Sequence, residues 1–233
     1  MQAFRRAAGP VVSTPGTMTH MRLFAAVLPP RAVVDELREL VLSVNAPGGG
    51  EHKAKRGLMG RLASGRDQVP ASPTTSNELE VPDVDAMYLP ITHFGNVALG
   101  DSVQLANALR DEARTWHKPT LHFSGGGALE FPGDQSVWAK LAGDVDELMV
   151  IGRGVPQIVQ RLGFFVDRRQ FRPWLSVGTI TDNTTAPYLE RVVERLEGFH
   201  GRAWTVESVS LMKRVTEDGP DSIELMEEMP LAP

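Results

Sequence analysis

Strand-like and helix-like patterning alternate along this chain from residue 23 to near its C-terminal end, which limits the fold to a mixed architecture. Residues 23–28 form a short apolar run closed by Pro29-Pro30, the mark of a buried strand. Val33, Val34, Leu37, Leu40, Val41 and Val44 recur at helical spacing, one face of an amphipathic helix ended by Pro47-Gly48-Gly49-Gly50. The pattern predicts a strand over 87–94, then a helix running from a capping box at Asp101 and Gln104 to Trp116. A strand pair over 121–123 and 136–141 should flank a glycine-rich turn. The next helix, over 145–162, should break near Gly152 and Pro156. A strand over 171–180 precedes a helix capped by Thr185, with Leu189, Val192, Val193, Leu196 and Phe199 on one face. Strands over 204–213 and 222–226, paired with each other, close the chain. Such interleaving predicts an α/β or α+β fold.

Composition narrows the chemistry. At 233 residues the chain can bury a sizeable core in one large or two-lobed domain. The net charge of −5 gives no global attraction to nucleic acid, so any such contact needs a local basic patch. The absence of cysteine excludes disulfides, thiolate metal sites and cysteine nucleophiles, and fits a reducing compartment. No apolar run is long enough for a membrane span. Residues 1–20 lack the apolar stretch of a secretory signal and read as a disordered leader, which makes the cytoplasm the expected location. Residues 47–78 are rich in Gly, Pro, Ser and Thr and read as a flexible insert. Lys53, Lys55, Arg56, Arg61 and Arg66 make it basic, so it could also cover a phosphate ligand.

Two stretches carry the functional information: Tyr88-Leu89-Pro90-Ile91-Thr92-His93-Phe94-Gly95-Asn96-Val97 and Phe171-Arg172-Pro173-Trp174-Leu175-Ser176-Val177. Around them stand an opening strand Met21-Arg22-Leu23-Phe24-Ala25-Ala26-Val27-Leu28-Pro29, a Phe131-Pro132 after the glycine-rich segment, and closing strands around Val209-Ser210-Leu211 and 224–231. In order and spacing these elements resemble the RNA 2′,3′-cyclic phosphodiesterases, also called 2′-5′ RNA ligases, of the 2H phosphoesterase superfamily. The resemblance covers residues 21–233 without the insert, and it implies one bilobal α+β domain with a central cleft between two antiparallel-rich sheets. In that family each lobe offers a His-x-Thr/Ser motif. The two imidazoles, titrating near neutral pH, serve as general base and general acid on a cyclic phosphate.

This chain departs from the pattern at the reacting positions. Aligned on Gly95-Asn96-Val97, the first histidine and hydroxyl positions hold Tyr88 and Pro90. Aligned on Phe171-Arg172-Pro173, the second pair holds Trp174 and Ser176. A phenol ionises near pH 10, and an indole N–H only donates, so neither replaces an imidazole. Strand periodicity groups Tyr88, Pro90 and Thr92 on one face, and Arg172, Trp174 and Ser176 on another; both should line the cleft.

The sequence therefore reads as a catalytically degenerate relative that retains binding of a nucleotide, an RNA end or another phosphate ligand. The residues expected to bind are Tyr88, Thr92, Arg168, Arg172, Trp174 and Ser176, with no cofactor and no metal. Arg168 and Arg169 would join Arg172 at a phosphate-holding mouth; otherwise they belong to a solvated loop. One rival is an active phosphodiesterase using His93 or His122, although simple alternation points His93 away from Tyr88. Another is a structural or partner-binding protein whose cleft is filled by Tyr88 and Trp174. Asp144, Asp146 and Glu147 read as an acidic helix start, and Gly125-Gly126-Gly127 lacks a phosphate-loop signature.

Overall fold

The computed structural model describes residues 20–44, 79–129, 133–167, 169–215 and 222–232. The expected insert at 47–78, the leader through residue 19, Phe131-Pro132 and Arg168 lie outside the described residues.

The elements are β1 (His20–Val27), α1 (Arg31–Ser43), β2 (Leu79–Glu80), β3 (Leu89–Ala98), α2 (Leu99–Ala113), β4 (Thr120–Ala128) and β5 (Ser136–Gly143), then α3 (Val145–Arg161), β6 (Trp174–Ile180), α4 (Ala186–Glu197), β7 (Trp204–Thr205), β8 (Ser208–Val215) and β9 (Ser222–Pro230). They form two antiparallel sheets, ordered β3-β1-β8-β9 and β2-β6-β5-β4-β7. This is the α+β architecture that the resemblance implied, within the mixed class expected from the alternating pattern.

The helices cross between the sheets. α1 follows β1 of the first sheet but packs against β6 and α4 of the second, while α3 follows β5 of the second sheet and packs against β3 and α2 on the first. One continuous cluster of buried side chains therefore runs from Leu23 and Phe94 through Phe123 and Leu175 to Val209. Each fully buried Leu or Val in it contributes about 1.5–3 kcal/mol. The amphipathic face of α1 is as the spacing predicted, with Val33, Val34, Leu37 and Val41 buried.

Several local expectations are corrected. No capping box opens α2: the helix starts earlier, at Leu99, and its N-cap Ala98 has no side-chain bond to give. Thr185 does stand at the N-cap of α4, but its side chain makes no cap bond. Helix α3 runs unbroken through Pro156. Proline removes only the bond to the carbonyl of Gly152, and burial of Ile151, Val155, Ile158 and Val159 holds the helix across that gap. Gly125, Gly126 and Gly127 belong to β4 rather than to a turn. A Cβ on Gly127 would lie 2.6 Å from the Trp138 ring, and one on Gly126 would lie 2.7 Å from the side chain of Leu196. The glycines let β4 run beneath two large side chains. The expected strand over 204–213 is two strands: β7 pairs with β4 in one sheet, and β8 pairs with β1 and β9 in the other.

Candidate functional site

The inner face of the first sheet is set by β1 and β8, where Arg22, Phe24 and Ala26 pair with Arg214, Met212 and Ser210. β3 completes it, but not as a regular strand. Its register against β1 shifts twice, leaving Ile91 and Phe94 as extra residues. Each bulge reverses the alternation of side chains. Tyr88 and His93 are an odd number of residues apart, so a regular strand would separate them. The bulge at Ile91 lies between them and returns His93 to the Tyr88 side. Both rings pack on Phe24, each with a centroid separation of 5.3 Å. The expectation that His93 points away from Tyr88 is therefore wrong.

The same bulge moves Thr92 out of step with Tyr88 and Pro90. Thr92 pairs with Ala25, a residue of the main core, and is 3% exposed with no hydrogen-bond partner for its hydroxyl. Gly95, beside the second bulge, has φ +70°, a conformation that suits glycine.

The second sheet contributes an aromatic stack. Trp174 opens β6, and its ring lies 4.3 Å from that of Trp138 on β5 at an interplanar angle of 37°. The register places Trp138 opposite Ser176 and Lys140 opposite Trp174. The Arg172 guanidinium carbon lies 4.7 Å from the centre of the Trp174 ring, and the Lys140 ammonium lies 5.3 Å from that of Trp138. Two cations thus sit on a two-indole platform, an arrangement favoured by the ring quadrupoles.

Between the sheets runs a groove of three adjoining cavities. The first, about 550 Å³, is lined by Tyr88, Pro90, Trp174 and Ser176 together with Glu80 and Asp83. The four residues that the resemblance aligns with the motifs therefore share one open space. Tyr88 packs on Phe24 and Trp174 on Trp138, so each ring stays with its own lobe. The second cavity, about 510 Å³, lies between Pro90, Thr92 and His93 on one side and Arg169, Phe171, Arg172 and Trp174 on the other. The third, about 480 Å³, is lined by Arg22, Phe24, His93, Asn96, Asp167, Arg169 and Arg214. The groove is polarised, with arginines at one end and Glu80 and Asp83 at the other.

Residues 164–167 and 169–173 lie between the lobes along this groove. The backbone N–H of Asp167 donates to the His93 carbonyl at 3.1 Å, and that of Leu141 to the Pro173 carbonyl at 3.0 Å. Phe171 anchors the segment: its ring sits on Gly152 of α3, where any Cβ would overlap it. The Asp167 carboxylate accepts from the Arg169 backbone N–H at 3.1 Å and lies 3.5 Å from Nε of the Arg169 guanidinium. Burial holds the His93 pKa below its ordinary 6.5; Arg214 and Arg169 add to the lowering, and Asp167 partly opposes it.

Among the described residues, His93 is the only histidine lining these three cavities, and His122 lines none of them. His200 instead meets the Ser124 hydroxyl at 3.1 Å. No cluster of metal-ligating side chains occurs among the described residues. Asp144 is the N-cap residue of α3, with Asp146 and Glu147 in the first turn, and its carboxylate accepts from the Thr120 N–H at 3.0 Å. Sequence reasoning missed Trp138, Lys140, Arg22, Asp167 and Arg214. Alternation along β1 and β8 put Arg22 in phase with Phe24, and Arg214 with Met212. Only the pairing shows that these faces turn toward the groove.

Solved structures share this fold. TT0787 of Thermus thermophilus superposes with a TM-score of 0.61 at 16% identity, over 91% of this chain and 98% of that one. This chain has the LigT-like fold. E. coli LigT complexed with 3′-AMP superposes with a TM-score of 0.58 at 15% identity, over 91% of this chain and 99% of its own. The NADP+ complex of E. coli LigT gives 0.59 at 16% identity, over 92% and 99%. No family model matches the sequence, and no curated protein matches it. The LigT-like fold is thus carried by a sequence only 15–16% identical to these neighbours. In the groove, Tyr88 just before β3 and Trp174 at the start of β6 stand where the sequence resemblance expects histidine.

Proposed function

We propose that this protein belongs to the 2H phosphoesterase superfamily as a degenerate member. On this reading it binds a nucleotide or an RNA end and has lost two-histidine acid–base catalysis. The observation that carries the reading is the open cavity between Tyr88 and Trp174. Both positions face it, and neither holds an imidazole. What remains suits recognition. A base stacked on an aromatic face gains about 1–3 kcal/mol, and Arg172 stands beside the indole platform to hold a phosphate. E. coli LigT, which shares the fold, has been solved with 3′-AMP, NADP+ and ATP.

A titration with mononucleotides and short RNA, followed by tryptophan fluorescence, tests this reading. Saturable, salt-sensitive quenching that weakens in Trp174→Ala and Arg172→Ala is the expected result. No binding at millimolar ligand, with Trp174→Ala merely less stable, would instead make the platform a structural feature.

One observation favours a second reading, an active cyclic phosphodiesterase: His93 lines two of the three cavities. A single imidazole can be base or acid but needs a partner for the other role. Turnover of a 2′,3′-cyclic nucleotide that disappears in His93→Ala would establish this second reading and overturn the first.

A further inference from the structure

The end of the groove farthest from Ser176 has a chemistry of its own. Arg22 and Arg214 stand directly opposite each other on paired strands, an arrangement of like charges that disfavours pairing. Arg169 approaches them from the segment tied to β3 through the Asp167 N–H and the His93 carbonyl. Three guanidinium-bearing side chains therefore converge on one concavity of a chain whose net charge is −5. We propose that the pocket framed by Arg22, His93, Arg169 and Arg214 is an anion site for the dianionic phosphate of a monoester.

Charge selects the ligand. Asp167 lines the same pocket and lies 3.5 Å from the Arg169 guanidinium, so the lining brings three arginines and one carboxylate together. A phosphate monoester carries about −1.5 to −2 at pH 7 and gains more from converging guanidinium groups than a phosphodiester, which carries a single charge. Planar guanidinium forks suit phosphate oxygens, and Asn96 and His93 can add neutral donors. Phe24 and Leu23 supply an apolar wall, which lowers the local dielectric and strengthens each contact. At about 480 Å³ the pocket also has room for the sugar that carries the phosphate. Tyr88, Trp174 and Ser176 take no part in it. The site therefore stands or falls separately from the nucleotide reading.

Titrations of the full chain at low salt with inorganic phosphate, ribose 5-phosphate and dimethyl phosphate test the proposal. The two dianions should bind saturably, and the diester about tenfold more weakly or not at all. Arg22→Ala and Arg214→Ala should each weaken phosphate about tenfold, with an intermediate loss in Arg22→Lys, which keeps the charge but not the fork. Trp174→Ala should leave phosphate binding unchanged. Because Arg22 is exposed, its variants should keep the wild-type melting temperature. Bound phosphate should also raise the His93 pKa, read by NMR of the ring, against the opposing fields of Arg22, Arg169 and Arg214 and with that of Asp167. Absence of saturable phosphate binding, equal binding of dimethyl phosphate, or indifference to both arginine substitutions would overturn the proposal.

Discussion

His93 and Tyr88 flank the same ring: each lies 5.3 Å from Phe24, centroid to centroid, although they are five positions apart in sequence. The extra residue at Ile91 makes this possible. It places one imidazole in the groove beside the position where the family resemblance expects the catalytic one. His93 therefore lines the groove outside the register that the resemblance implies for the motif, and across the cavity from it stands the Trp174 indole.

The first prediction concerns catalysis. Purified protein should hydrolyse neither 2′,3′-cyclic nucleotides nor RNA ending in a cyclic phosphate above background. Loss of each acid–base group typically lowers the rate by about 10²–10⁴, and the proposed reading has both replaced. A sensitive cyclic-nucleotide assay, run beside His93→Ala and His122→Ala, decides it.

Trp138 should matter more for stability than Trp174. It is 7% exposed and lies across Gly127, whereas Trp174 is only half-buried. Trp138→Ala should cost about 3–5 kcal/mol, the range for a large buried aromatic, and Trp174→Ala clearly less. Urea unfolding of the two variants gives the comparison. Equal losses would mean that the two indoles are buried as a single unit.

A methyl group at Gly152 should disturb the groove from a distance. Gly152→Ala forces the Phe171 ring off α3, and overpacking of this kind costs about 1–3 kcal/mol. The displaced segment carries Asp167, Arg169 and Arg172, so ligand binding should weaken together with stability. Pairing Gly152→Ala with Phe171→Ala should give less than the sum of the single losses. Additive effects would show that the ring and the glycine are independent.

Stability should fall with acid in a window set by His93. Its folded pKa is below the unfolded value of 6.5, so between the two the unfolded chain holds the extra proton. The contribution is complete above pH 6.5 and is lost as the pH falls through the folded pKa. Denaturation of wild type and His93→Gln on both sides of this window should show a shallower pH slope in the variant. Identical slopes would assign the effect to other groups.

Legibility varied with the kind of signal. The face of α1 could be read from Val33, Val34, Leu37 and Val41 because burial on a helix repeats with a fixed period. The positions of Tyr88, Pro90, Trp174 and Ser176 in one cavity followed from motif order and alternation. The same alternation failed for Thr92 and His93, because an extra residue in β3 is visible only against β1. The glycine run was misread for a related reason: Gly126 and Gly127 are required by Leu196 and Trp138, which are distant in sequence.

The sequence by itself determined the local periods, the order of strands and helices, and the absence of histidine at Tyr88 and Trp174. These are properties of neighbouring residues, and short-range sterics and hydrophobic spacing suffice to express them. Only the tertiary structure decided that Trp138 joins Trp174, that Arg22, Arg169 and Arg214 share one pocket, and that His93 enters the groove. Those relationships depend on strand register and on helices that cross between the sheets. Both are settled by burial summed over the whole core rather than by any single segment.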